Sequence, residues 1–250
     1  MKREIDTNTR KALHHLVQVL AACARAYQDP QPDDLHTALD WDPQARAFSV
    51  TLDANTLSLI VESATLEWRH GGRIETSNLG GRTRAGLEER MRRWLELMGL
   101  DHTLFTLNPP YDLPPAVFPN GLFQFDSGTL EALSDMYAAT HRALTDMAWI
   151  PGSSPVRTWP HHFDMAVLVK MGAGRTIGLG FSPGDDSHPQ PYYYATPWPY
   201  PDKHSLNPAP AGWEWNTEGW VGLRREVSAT GDSEFDGAFE ACAVQSASKR

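Results

Sequence analysis

The sequence predicts an α+β protein with antiparallel sheet and flanking helices, and three observations lead there. Amphipathic helical stripes bracket runs of short alternating strands. Those strands follow one another through tight turns, which joins neighbours antiparallel. No strand leads through a glycine-rich loop into a helix, because Gly172-Ala173-Gly174 and Gly178-Leu179-Gly180 fall in or between strands, where phosphate-cradling glycines do not belong.

The elements follow in order. Thr7 or Asn8 caps a first helix to about Gln28, with Leu13, Leu16, Val17, Leu20, Ala24 and Tyr27 on one stripe, and Asp29-Pro30-Gln31-Pro32 breaks it. Phe48, Val50 and Leu52 alternate as a strand, and Leu57, Leu59 and Val61 as the next. Leu66 and Trp68 enter a hairpin at His70-Gly71-Gly72-Arg73 that returns through Ile74 and Thr76. A second helix spans roughly Arg84 to Met98, with Leu87, Met91, Trp94, Leu95 and Met98 at helical spacing and Gly99 as its C-terminal cap. Residues 101–124 are Pro-rich and aperiodic. A third helix runs from about Thr129 to Trp149, with Leu130, Leu133, Tyr137, Leu144 and Met147 on one side. A run of strands, a strand near Trp220 to Val227 and a last helix from Asp232 or Ser233 complete the chain. Helix, antiparallel meander and helix thus occur twice. The chain reads as a single domain over 1–250 with two similar halves, 1–100 and 125–250, joined by the connector 101–124, although no residue-level repeat accompanies the outline.

Bulk properties exclude several classes. The 250 residues, 41% hydrophobic and 21% charged, have an ordinary globular composition with chain enough for a core. A formal charge of -9 argues against nucleic acid, whose phosphates need clustered Lys and Arg, and Lys2, Arg3, Lys249 and Arg250 read as solvated terminal charges. No stretch approaches 18 apolar residues, and Met1-Lys2-Arg3-Glu4 lacks the apolar run of a signal peptide. Cys23 and Cys242 sit among alanines in helices and read as small buried thiols, so a cytoplasmic setting follows.

The chemistry concentrates in residues 155–201. A strand over Phe163–Met171, a turn at Gly172-Ala173-Gly174 and a return over Arg175–Ser182 would put Met165, Val167, Val169, Ile177, Leu179 and Phe181 on a core face. The opposite face carries His162, Asp164, Ala166, Leu168, Thr176, Gly178, Gly180 and Ser182. A symmetric turn sets Asp164 opposite Ser182 and Ala166 opposite Gly180, with glycines leaving a floor for a ligand. His162, Asp164 and Ser182 are therefore the candidate catalytic groups, either as an acid/base pair with a hydroxyl or as internal hydrogen-bonded links. On the same alternation His161 points away from His162, so no chelate by the two is expected, and His14-His15 reads as one packed and one solvated helix residue. Ser182-Pro183-Gly184-Asp185-Asp186 reads as a turn, with Asp185 and Asp186 as candidate ligand contacts. Tyr192, Tyr194 and Trp198 form an aromatic wall or an edge-covering patch. Thr196-Pro197-Trp198-Pro199-Tyr200-Pro201 reads as extended but not as a central strand.

These motifs resemble a bacterial domain-of-unknown-function family, number 5996. The likeness rests on Ser154-Pro155-Val156, Phe163-Asp164-Met165-Ala166, Gly180-Phe181-Ser182-Pro183-Gly184 and Tyr192 through Pro201, with Trp159-Pro160-His161-His162 marking a branch of it. The resemblance implies a recurring unit and no established activity, cofactor or catalytic residue. The reading is a small-molecule pocket around these motifs, its contacts His161, Asp185, Asp186, Tyr192, Tyr194 and Trp198, with the cofactor and the reaction unassigned. Two alternatives stand beside it: a metal-dependent hydrolase using His162 and Asp164, or a non-catalytic interaction domain, such as a homodimer, using the Trp- and Pro-rich strip 196–220. Neither nucleic acid nor membrane is expected as a partner.

Overall fold

Asp6, one residue before the expected cap, starts the first helix: its carboxylate accepts from the Thr9 N–H at 2.7 Å, and α1 runs Thr7–Tyr27. Leu13, Leu16, Val17 and Leu20 are fully buried, each stabilising the fold by roughly 1.5–3 kcal/mol. They pack on the first sheet, β1 (Asp40–Asp42), β2 (Ala47–Leu52), β3 (Asn55–Ile60), β4 (Thr65–His70) and β5 (Arg73–Asn78), a meander in sequence order. Gly71 and Gly72, at φ 54° and 84°, supply the left-handed pair that a two-residue hairpin needs between His70 and Arg73. Three-residue β1 is too short to show alternation and was not foreseen. α2 (Arg84–Leu97) is capped by Thr83, whose hydroxyl accepts from the Gly86 N–H. It ends at left-handed Gly99, where the Leu100 N–H returns to the Leu95 carbonyl.

α3 (Ser127–Asp146) is capped by Asp126 and continues as one 3₁₀ turn, Met147–Trp149. Short β6 (Arg157–Trp159) follows, then β7 (Asp164–Gly172), β8 (Arg175–Ser182), β9 (Tyr192–Trp198), β10 (Glu214–Asn216), β11 (Gly222–Glu226) and α4 (Asp236–Ala247). The second sheet has the order β10-β11-β9-β8-β7-β6. The molecule is therefore α+β with two antiparallel sheets. β9 is central, against the expectation for its proline: Pro197 pairs with Ile177 of β8 at a point where β11 no longer runs beside it.

The computed structural model describes residues 4–31, 33–227 and 235–247. Asp232 and Ser233, the expected start of the last helix, and the charges Lys2, Arg3, Lys249 and Arg250 lie outside the described residues. The chain forms two compact units, one of Glu4–Asp135 with Thr158–Phe163, the other of Met136–Arg157 with Asp164 onward. Residues 101–124 belong to the first. There Arg46, at φ 52° in the β1–β2 turn, donates to the Ser134 hydroxyl and pairs with Glu62 and Asp135. In the second unit the odd-numbered face of β7 and β8 is buried, and Tyr137 of α3 meets Phe181 edge-on at 5.1 Å. α4 covers β8, β9 and β11. Cys23 and Cys242 are both buried and unbridged, and burial pushes the Cys242 thiol up to about 12.

Candidate functional site

His14 and Gln18 lie four residues apart on α1, hence on one face of it, and both are buried. Each donates to the same acceptor: His14 Nε2 to the Pro160 carbonyl at 2.8 Å, and Gln18 Nε2 at 2.7 Å. The two lone pairs of that oxygen are thereby both used. The Tyr111 hydroxyl donates to Gln18 Oε1 at 2.8 Å and completes the network. Burial lowers the His14 pKa to about 4, against the opposing pull of the Pro160 bond and with help from the positive fields of His15, Arg10 and His162. His14 is therefore a neutral imidazole whose Nε2 carries the proton.

What the network holds is a turn, not the strand residues that alternation suggested. Residues 160–163 reverse the chain, the Phe163 N–H closes on the Trp159 carbonyl at 2.7 Å, and Phe163 sits at φ 59°. A left-handed backbone at a bulky residue is strained. Packing compensates: the Phe163 ring is buried, stacked on His14 at 5.3 Å and edge-on to Phe48 at 5.5 Å. The side chains of His161 and His162 are exposed. They do not diverge, as strand alternation implied, but stand together with ring centroids 4.3 Å apart. The rings of Tyr111 and Trp159 flank His161 at 5.9 and 6.0 Å. Nearby, His15 is not solvated either: its Nε2 donates to the Pro114 carbonyl at 2.9 Å, and burial lowers its pKa. A cavity of ≈ 20 Å³, room for a water molecule, lies against His15 and Gln18, walled by Arg84, Leu87, Phe118 and Phe123 among others.

The remaining expected site residues fall in the second unit, on the even-numbered face of its sheet and in the loop between β8 and β9. The register sets Ala166 opposite Gly180 as expected, with a bulge at Met171 absorbing the turn, and it also brings Tyr194 of β9 opposite Gly180 on its other side. The glycine floor, however, is filled from within. A Cβ on Gly180 would lie 2.5 Å from the Tyr194 ring, so the phenol occupies the space expected for a ligand. Its hydroxyl donates to Asp164 Oδ2. Burial, then the Asp164 carboxylate, hold the Tyr194 pKa well above its ordinary value and keep it a proton donor. Tyr192 donates to Asp185 Oδ2 at 2.6 Å, and Asp185 Oδ1 accepts from the Ser187 and His188 N–H groups at 2.7 Å each. Ser182 Oγ accepts from Gly184 N–H at 3.2 Å. The loop 182–188 is therefore a self-bonded turn. Trp220 lies over Tyr192, near-parallel at 6.4 Å. Asp186 is exposed, as are Leu168 (43%), Trp198 (54%) and Tyr200 (39%), the last two meeting edge-on at 5.1 Å.

No family model, curated protein or solved structure matches the chain. Geometry alone therefore carries the site. Two groupings result: His161 with His162 in the first unit, and Asp164, Ser182, Asp185, Tyr192 and Tyr194 in the second. Among the described residues no group of three or more His, Cys, Asp or Glu side chains could hold a metal ion. The sequence reading missed His14, Gln18 and Tyr111 as members of a site. Its available signal was two polar residues at i and i+4 beside the apolar stripe of α1.

Proposed function

We propose that the chain binds a small molecule at the Trp159–Phe163 turn, with His161 and His162 as the contact groups and Tyr111 and Trp159 as ring walls beside them. One observation carries this reading: two buried donors converge on the Pro160 carbonyl, fixing a strained backbone whose only outward side chains are imidazoles. Buried polar networks specify a unique geometry at a cost in desolvation, and backbone strain clusters where function needs it. In an enzyme the exposed imidazoles would act as general acid or base. On this reading Asp164, Ser182, Asp185, Tyr192 and Tyr194 are internal partners that stiffen the second sheet. The unbridged thiols fit a reducing, cytoplasmic setting. The resemblance to family 5996 rests mainly on the flanking motifs, and Trp159-Pro160-His161-His162 marks only a branch of it, so the reading stands on the geometry of the turn.

The test is a ligand-induced thermal-shift screen of the wild type, repeated with His161→Ala and His162→Ala. Both variants should melt like the wild type without ligand and lose the shift that a hit produces. An undiminished shift in both variants would sink the proposal. A second reading has its own support in the exposed Leu168, Trp198 and Tyr200: a protein-contact face, including one between two copies of the chain. Light scattering of the wild type beside Trp198→Ala decides it, because only a working contact face changes the measured mass.

A further inference from the structure

We propose that the His161–His162 pair takes one divalent transition-metal ion of tetragonal preference, Cu²⁺ or Ni²⁺, through its two imidazoles. The inference rests on reading the turn as a binding site and names what would bind there. The spacing of the two rings favours one metal class. An ion about 2 Å beyond a coordinating imidazole nitrogen lies about 3.2 Å from the ring centre. With one nitrogen of each ring turned to a common ion, two centroids 4.3 Å apart would subtend roughly 85° at it, close to the cis angle of a square-planar or tetragonal site and well short of the tetrahedral angle that Zn²⁺ prefers. The ring planes are tilted by 53°, so they intersect, as they must for one ion to lie in the plane of both rings. Both side chains are exposed, which leaves the remaining coordination positions to water or to a small ligand. The turn gives the pair its preorganisation, because the Pro160 carbonyl is held by His14 and Gln18 and the turn is closed by the Phe163 N–H. Two adjacent histidines on a mobile segment would first have to be ordered, at an entropic cost that this backbone has already met.

Trp159 makes the site observable, its ring lying 6.0 Å from His161. Cu²⁺ alone is titrated into purified, untagged, full-length protein, with bound metal measured by equilibrium dialysis and indole emission recorded in parallel. One equivalent should bind, with quenching. His161→Ala and His162→Ala should each weaken binding by at least about tenfold, the lower end of what even outer-shell partners of a metal contribute. Substoichiometric binding, or several weak sites indifferent to either histidine variant, would overturn the proposal. A thermal shift from an organic ligand that still disappears in His161→Ala would then leave the turn standing as a binding site without the metal. Indifference of both the metal and the ligand readouts to the histidine variants would remove the site as well.

Discussion

His14 couples the turn to pH. Its folded pKa of about 4 lies below the ordinary 6.5, so the unfolded chain binds the proton more readily than the folded one. Above pH 6.5 neither state is protonated there and His14 adds no slope. As the pH falls from 6.5 towards 4 the unfolded state gains a proton that the folded state refuses, and stability drops; below about 4 the loss levels off. The full effect is on the order of 3 kcal/mol, and His15, also lowered by burial, acts in the same direction. Urea unfolding from pH 7 to 4 should show this decline, and His14→Gln should flatten it; an unchanged slope in the variant would place the titration elsewhere. Asp164→Asn bears on the other grouping. Weakening the bond from Tyr194 should cost about 1–3 kcal/mol and leave ligand binding at the turn intact. Lost binding at full stability would instead return Asp164 to the site.

At the scale of elements, the glycines of the second sheet are where substitution tells most. Gly180→Ala would set a methyl 2.5 Å from the Tyr194 ring and 2.7 Å from the Met165 carbonyl, and backbone cannot retreat as a side chain can. A loss of about 1–3 kcal/mol is expected. Gly178→Ala meets nothing nearer than 3.9 Å and should be far milder; equal losses in the two would refute the packing account. The β7–β8 pairing was legible because period-2 burial and a short glycine turn leave one register that hides Met165, Val167 and Val169. The Trp159–Phe163 turn was not legible. The strand pattern reads smoothly through it, and its reversal depends on Pro160 being grasped by a helix 142 residues earlier in the chain. The Asp164 partner was missed for a related reason: the chain shows Gly180 as an empty position, while the Tyr194 ring that fills it comes from the neighbouring strand.

At the scale of the whole molecule, net charge and element order say most. With a formal charge of -9, duplex DNA should form no complex at about 0.15 M salt in a mobility-shift assay, since counterion release requires clustered cations. A salt-sensitive complex would expose a basic patch that the overall charge conceals. No helix of the described residues is long and apolar enough to cross a membrane. The order helix, antiparallel sheet, helix occurs twice, as α1 to α2 and as α3 to α4. The sheets nevertheless differ in winding: the first is a plain meander, while in the second β11 lies between β10 and β9. That departure lies beyond the reach of periodicity, which identifies strands without saying which neighbour each one chooses.

The contact between Gly180 and Tyr194 has a historical consequence. A ring seated where a side chain is missing ties the two positions together: neither can drift alone without a clash or a hole. In descendants of this chain they should change as a pair, a bulkier residue at 180 arriving with a smaller one at 194, and Asp164 should then be released from its carboxylate identity in the same lineages.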